Sequence, residues 1–496
     1  MRNDYVKVIK DYIAQKPEYK FTLNELKNDV VSAGATEEEF EEAVKQATGY
    51  HPSMLQQSLN NLQEPLAQKQ YKATSLISKI IHSISLRERL LIYLFASILL
   101  FVSSLINVFG SYTRMKPQEN LVSIPTPTLV QHPLNIVREV YANLRPIDPS
   151  RAFSTPKSNV PLAVNSKPKK EVFGFLPYWM LPKGGEIDLS LLTSVSIFGL
   201  EVDGEGNIVT VGSTNEVDKG WEMWKDPTLD QFIGRARDKN IKIFLTIKAF
   251  SNNNIEKLVL SDDAQKALIA NSLYLFSSKN LNGINLDFEY VGKPGENIRD
   301  GFTRLVTNLN AELKRQYPKS QLTLDTYIRE GNVPGLFDLK LLEAQVDAFV
   351  VMGYDFNTPD GTAGPIAPMG GEINMVGSMQ GYLEKVPADK LILAVPYYGY
   401  GWPTKDAGDV AILPYSVIIA ESKKHTTIWN ETWQTPSFTY VDNGVERTAH
   451  FDNVRSMGIK FDYVNAKNLK GIGIWALGYD GYNSDLQRLI IDKFAN

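Results

Sequence analysis

The sequence predicts an α/β protein whose largest part is a (β/α)8 TIM barrel. Three observations carry this. From residue 171 onward, eight short apolar, β-branched runs recur: Val172–Leu176, Val195–Leu200, Ile241–Ile247, Gly283–Glu289, Gln321–Asp325, Ala348–Met352, Leu391–Pro396 and Gly471–Leu477. Most of the gaps between them have helical periodicity, as in Leu229–Lys239, Ala264–Lys279, Ile298–Tyr317 and Leu486–Phe494. The whole occupies about 326 residues, the size of one barrel with helices outside. The alternative is an open doubly wound sheet. No Gly-x-Gly-x-x-Gly turn follows the first run, which argues against its dinucleotide-binding version.

The 496-residue chain holds more than this barrel. Residues 1–70 read as a small helical module. Tyr5, Val8, Ile9 and Tyr12 recur at helical spacing, Thr22 and Glu25 form a capping box, and Thr36 opens a further helix. The stretch from Leu90 to Phe109 is twenty residues without a formal charge, long enough to cross a bilayer as one transmembrane helix. Lys72, Lys79, Arg87 and Arg89 precede it, whereas only Arg114 and Lys116 follow closely. By the positive-inside rule the first module is cytoplasmic and the rest is extracytoplasmic. Localisation to the cell membrane as a single-pass protein follows. Residues 113–170 contain nine prolines and read as an extended linker. The barrel is assigned to residues 171–496.

Charge and composition narrow the chemistry. Of the net charge of -4, the barrel region carries about -10 and residues 90–170 about +6. An acidic barrel argues against nucleic acid as a partner and suits a neutral glycan. The chain has no cysteine, which excludes thiolate ligands and cysteine nucleophiles. Its five histidines show no ligand-type spacing, so neither a metal nor another cofactor is expected.

The fourth run is the most informative. In Asn282-Gly283-Ile284-Asn285-Leu286-Asp287-Phe288-Glu289-Tyr290, apolar and polar residues alternate strictly. Flanking helices would cover the apolar face, turning Asn285, Asp287 and Glu289 into a shared interior. Buried carboxylates side by side are costly unless they do chemistry. Other strand ends add Tyr178 and Trp179, Lys248 and Phe250, Asp325 and Tyr327, Met352, Tyr354 and Asp355, Tyr397 and Tyr398, and Trp475 and Asp480. Carboxylates ringed by aromatics suit a sugar site, because aromatic faces stack on pyranose rings and carboxylates move protons.

The stretch Asn282–Glu289 resembles the Asp-Gly-x-Asp-x-Asp-x-Glu signature of glycoside hydrolase family 18, the family of chitinases and related N-acetylglucosaminidases. Met352-Gly353-Tyr354-Asp355, Val395-Pro396-Tyr397-Tyr398 and Gly471-Ile472-Gly473-Ile474-Trp475 resemble its sixth, seventh and eighth strands. Gly364-Pro365-Ile366-Ala367-Pro368 and Phe451–Ser456 are similar to a bacterial branch that includes spore-cortex peptidoglycan N-acetylglucosaminidases. The resemblance implies substrate-assisted retaining catalysis. Glu289 is the general acid and base. Asp287 orients the substrate's 2-acetamido group, with Asn285 beside it, and is expected to raise the pKa of Glu289. Tyr354 binds the acetamido carbonyl. Substrate-binding roles fall to Asp355, Trp475, Met352, Tyr397 and Tyr178.

Three departures stand out. Asn282 and Asn285 replace the usual aspartates, and Thr246-Ile247-Lys248-Ala249-Phe250 replaces the usual Ser-x-Gly-Gly of the third strand. The short interval between the seventh and eighth strands implies that the extra α+β domain of deep-cleft chitinases is absent or much reduced. The implied partner is a glycan containing β-1,4-linked N-acetylglucosamine, peptidoglycan first and chitin oligomers next. The competing reading is a catalytically silent, lectin-like binder on the same barrel. Such members typically lose the acid, and Glu289 is present.

Overall fold

The structure is a computed structural model and describes residues 147–154, 167–212, 215–359, 361–405 and 409–495. The helical module at 1–70 and the span Leu90–Phe109 lie outside the described residues. Among those described, no helix is long and apolar enough to cross a membrane.

Eight strands form a closed, all-parallel barrel, so the open sheet is set aside. They are β1 (Glu171–Pro177), β2 (Ser194–Glu201), β3 (Lys242–Ala249), β4 (Gly283–Phe288), β5 (Gln321–Tyr327), β6 (Ala348–Met352), β7 (Leu391–Pro396) and, after the five strands of an insertion, β13 (Gly471–Trp475). Strand β13 lies between β7 and β1 and closes the ring.

Alternation sorts the side chains of β4 into two environments. Ile284, Leu286 and Phe288 are almost fully buried against the outer helices, with Phe288 5.4 Å from Phe302 of the helix Glu296–Gln316. Each such side chain contributes roughly 1.5–3 kcal/mol by leaving water. Asn285 and Asp287 point the other way, into the barrel. There Phe173, Phe175, Phe198, Phe244, Val350 and Ile392 make a separate apolar cluster. Gly283 permits this filling, because a Cβ there would sit 2.2 Å from the Phe244 ring.

The outer helices start where the sequence supplies caps. Ser261 accepts from Ala264 N ahead of the helix Asp262–Ser278, whose first turn holds Asp262 and Asp263. Asp226 caps Pro227–Asp238, with Pro227 at its first position. Asn453 and Ser456 form a reciprocal capping box for Val454–Ala466.

Two expectations change. Part of the stretch read as linker is packed onto the barrel: Ala152 and Phe153 are buried, and Ser416 Oγ donates to the Ala152 carbonyl at 2.6 Å. The interval before β13 is also not empty. It holds a five-stranded antiparallel sheet in the order β10-β11-β12-β8-β9 and the helix Tyr415–Ser422. Its strands are β8 (Tyr398–Pro403), β9 (Ala411–Pro414), β10 (Ile428–Asn430), β11 (Thr435–Asp442) and β12 (Val445–His450). The turn Asn443-Gly444 joins β11 to β12 with both residues at positive φ, as a two-residue hairpin requires.

Candidate active site

Register across β3, β4 and β5 stacks the polar side chains in layers. Thr246, Asn285 and Thr323 lie side by side, and one layer higher so do Lys248, Asp287 and Asp325. In the lower layer Thr323 Oγ1 donates to Asn285 Oδ1 at 2.6 Å. Asn285 Nδ2 donates to Asp325 Oδ2 at 2.7 Å and to Thr246 Oγ1 at 3.3 Å. The amide thus uses both its faces to hold Asp325 in place. Asn282 stays at the bottom of the barrel, where its Oδ1 accepts from Ile243 N.

Asp287 and Asp325 are each 3% exposed, and one oxygen of each has no hydrogen-bond partner among the described residues. Burial pushes both carboxyls well above the usual range; Asp325 and Glu289 add to the rise at Asp287, and Glu289 adds to it at Asp325 against the Asn285 bond. Glu289 follows directly after β4, and Tyr327 OH donates to its Oε2 at 2.5 Å. Its pKa is raised to about 7, chiefly by burial and then by the charge of Asp355. The Tyr327 bond, Arg329 and Lys248 oppose that rise. Burial dominates the shift at Glu289 and Asp355 adds to it, while the repulsion between Asp287 and Glu289 raises Asp287. A carboxyl titrating near 7 can donate a proton at neutral pH and take one back afterwards.

The chain leaves β6 through Tyr354 and Asp355. Asp355 sits at φ +56°, in the left-handed region, and its Oδ1 accepts from Tyr398 OH at 2.6 Å and Tyr400 OH at 2.8 Å. Burial raises its pKa to about 6 against those two bonds. The Tyr354 phenol is raised by burial and by Asp325, Asp287, Asp355 and Glu289, so it stays a neutral donor. Its ring meets that of Tyr398 edge-on at 6.1 Å.

Trp475 ends β13 over the apolar cluster, 4.6 Å from Phe198 and 5.7 Å from Phe175 between ring centroids. Met352 ends β6 in register with Tyr327 and Ala394. The phenol of Tyr178 bears on the charge of Lys248. Tyr397 does not join them. It points outward beside Tyr415 and lines a cavity with Ile187, Leu191 and Asp480. Ile392 and Ala394 face the barrel interior, so counting on by twos reaches Tyr398 and Tyr400 and skips Tyr397.

Sequence reasoning left Tyr400 and Glu201 out and gave Tyr327 no role. Lys248, in place of the usual small residues, is buried and paired with Glu201 at 3.3 Å. Among the described residues no group of three or more His, Asp or Glu side chains is arranged to hold a metal ion.

A family model described as glycosyl hydrolases family 18 matches residues 173–480. The chain belongs to that family. This glycoside hydrolase is 24% identical over 379 residues to YdhD of Bacillus subtilis (strain 168), a protein provisionally named a sporulation-specific glycosylase. That match covers 73% of this chain and 83% of YdhD. The hydrolase is 26% identical over 296 residues to the cortical fragment-lytic enzyme of Bacillus anthracis, covering 55% of this chain and 66% of that enzyme. The chain thus spans just under two thirds of the second relative's length. The Ostrinia furnacalis Group IV chitinase matches its fold with a TM-score of 0.59 at 21% identity, over 66% of this chain and 100% of the chitinase.

Proposed function

We propose that this glycoside hydrolase cleaves β-1,4-linked N-acetylglucosamine-containing glycans, peptidoglycan foremost, by substrate-assisted retaining catalysis. The observation that carries the reading is Glu289, its pKa pushed up to about 7, two residues along from the buried Asp287, one oxygen of which has no partner among the described residues. Glu289 protonates the leaving glycosidic oxygen. The substrate's own 2-acetamido oxygen attacks the anomeric carbon, as is usual for this family instead of a carboxylate nucleophile. The free oxygen of Asp287 accepts the acetamido N–H, and Tyr354 donates to its carbonyl. Of the other nearby carboxyls, Asp355 is held through one oxygen by two tyrosines and Asp325 through one oxygen by Asn285. Glu289 then takes a proton from the incoming water.

Peptidoglycan is preferred over chitin for two reasons: the likeness to a cortical fragment-lytic enzyme, and an anchor at Leu90–Phe109 that would hold the barrel on the outer face of the membrane beside the wall. The test is release of reducing ends from peptidoglycan glycan strands and from chitin oligomers by the full chain. Glu289→Gln should lose about 10²–10⁴-fold in kcat. Cleavage of chitin oligomers alone would remove peptidoglycan as the substrate. Protease protection of the barrel in intact cells would overturn the outward orientation.

A further inference from the structure

The turn after β5 carries a cation that the catalytic roles above leave unused. Arg329 stands two residues beyond Tyr327, and its guanidinium lies 4.5 Å from the centre of the Tyr327 ring. The phenol of that same ring donates to Glu289. Arg329 is exposed and takes part in no ion pair among the described residues. Lys248 differs on both counts, being 8% exposed and paired with Glu201.

The two cations also differ in depth, Lys248 lying in register with Asp287 and Arg329 exposed beyond the end of β5. Asp287 is two residues deeper on β4 than Glu289, about 7 Å at the rise of a strand. The sugar whose acetamido group reaches Asp287 therefore sits below Glu289, and the sugar beyond the cleaved oxygen is the leaving one. Arg329 is exposed and stacks on the Tyr327 ring whose phenol bonds Glu289. Its charge bears on Glu289 and on the neighbouring Glu330, whereas Asp287 responds to Asp325, Glu289 and Lys248. A guanidinium stacked on an aromatic ring is held in place, and its planar fork matches a carboxylate with two parallel hydrogen bonds.

Chitin offers no such anion. In a peptidoglycan strand freed of its stem peptides, every second sugar bears a 3-O-lactyl carboxylate; where a peptide remains, that carboxyl is an uncharged amide. We propose that Arg329 is a specificity-determining residue that binds the lactyl carboxylate of a peptide-free N-acetylmuramic acid on the leaving-group side of Glu289. The assignment rests on the peptidoglycan reading above and deepens it.

The experiment uses the full chain, its Arg329→Ala and Arg329→Lys variants, and two peptide-free oligomers of alternating N-acetylglucosamine and N-acetylmuramic acid. One oligomer keeps its carboxylates and the other has them methyl-esterified. The readout is the ratio of kcat/KM for acid over ester. It should be about tenfold in the wild type, close to one in Arg329→Ala, and intermediate in Arg329→Lys. A ratio unchanged by Arg329→Ala, or equal losses on both oligomers, overturns the assignment, because the guanidinium would then act only through Glu289. If the wild type cleaves neither oligomer, the peptidoglycan reading fails. Calorimetric binding of both oligomers to Glu289→Gln, with and without Arg329→Ala, then decides Arg329 separately. An acid preference that disappears with Arg329 supports the site, and one that persists or never existed removes it.

Discussion

Tyr327 donates its phenol proton to Glu289 Oε2 at 2.5 Å, joining the end of β5 to the residue that follows β4. The bond favours the ionised form of a carboxyl that burial otherwise drives toward protonation. The acid is thus held between two opposed effects, and its pKa of about 7 is their balance. Changing either partner should move that balance in a known direction.

Removing the phenol in Tyr327→Phe takes away a hydrogen bond made to the charged carboxylate. The pKa of Glu289 should rise, and the alkaline limb of kcat/KM should move up by roughly one pH unit. The measurement is a pH–rate profile on a soluble chitin oligomer or glycan strand. A limb that stays in place would mean that Tyr327 does not tune the acid.

Asp355 acts on Glu289 through space and raises its pKa. Asp355→Asn removes that charge, so the alkaline limb should move to lower pH, opposite to the effect of Tyr327→Phe. Asparagine suits the position, because it tolerates the left-handed φ of +56° better than most residues. The fold should therefore survive, as circular dichroism would check. An upward shift of the limb would contradict the electrostatic account.

The same buried carboxyls make stability depend on pH. Glu289, Glu330 and Asp480 titrate at about 7 and Asp355 at about 6, all above their ordinary range of 3.8 to 4.5. Their contribution is fully present below pH 4 and is lost as pH rises through 6 to 7, because the unfolded chain gives up these protons first. His450 works in the opposite direction. Its pKa is depressed to about 4 by burial, so its contribution is lost as pH falls from 6.5. With these four carboxyls, and Asp287 and Asp325 raised in the same direction, against one histidine, Tm at pH 5.5 should exceed Tm at pH 8. Thermal scans in matched salt would test this, and a higher Tm at pH 8 would contradict it.

The barrel was legible because each of its strands carries its own apolar run, and Asn285, Asp287 and Glu289 were legible because alternation assigns them one face. The insertion was not legible from runs of that kind. Strands β11 and β12 are half-exposed, mixing residues such as Thr439, Glu446 and Arg447 with Phe438 and Ala449, so they lack the apolar continuity of buried strands. The Asn443-Gly444 turn was the available signal. Tyr397 was misassigned by proximity to a motif, when the period of two already favoured Tyr398. Tyr327 gains its meaning from its bond to Glu289, 38 positions earlier, and Arg329 from stacking on the Tyr327 ring. No local pattern encodes such a contact.

Asn285 is the departure that most tests the site's design. Its amide donates to Asp325 and Thr246 and accepts from Thr323, so all of its polar atoms are used. In Asn285→Asp, an ionised side chain has no proton to donate and faces the Asp325 oxygen directly. A protonated one can donate a single bond, so the variant gains a third buried carboxyl that must stay neutral beside Asp287 and Asp325. Its native pKa lies above its unfolded value of about 3.9. The unfolded chain therefore releases the proton first, and the variant loses stability as pH rises. Destabilisation should be about 2–4 kcal/mol at pH 8 and smaller at pH 5. Denaturant melts of wild type and variant at both pH values measure the difference. Equal stability at pH 8 would show that the amide is not what holds Asp325 beneath Glu289.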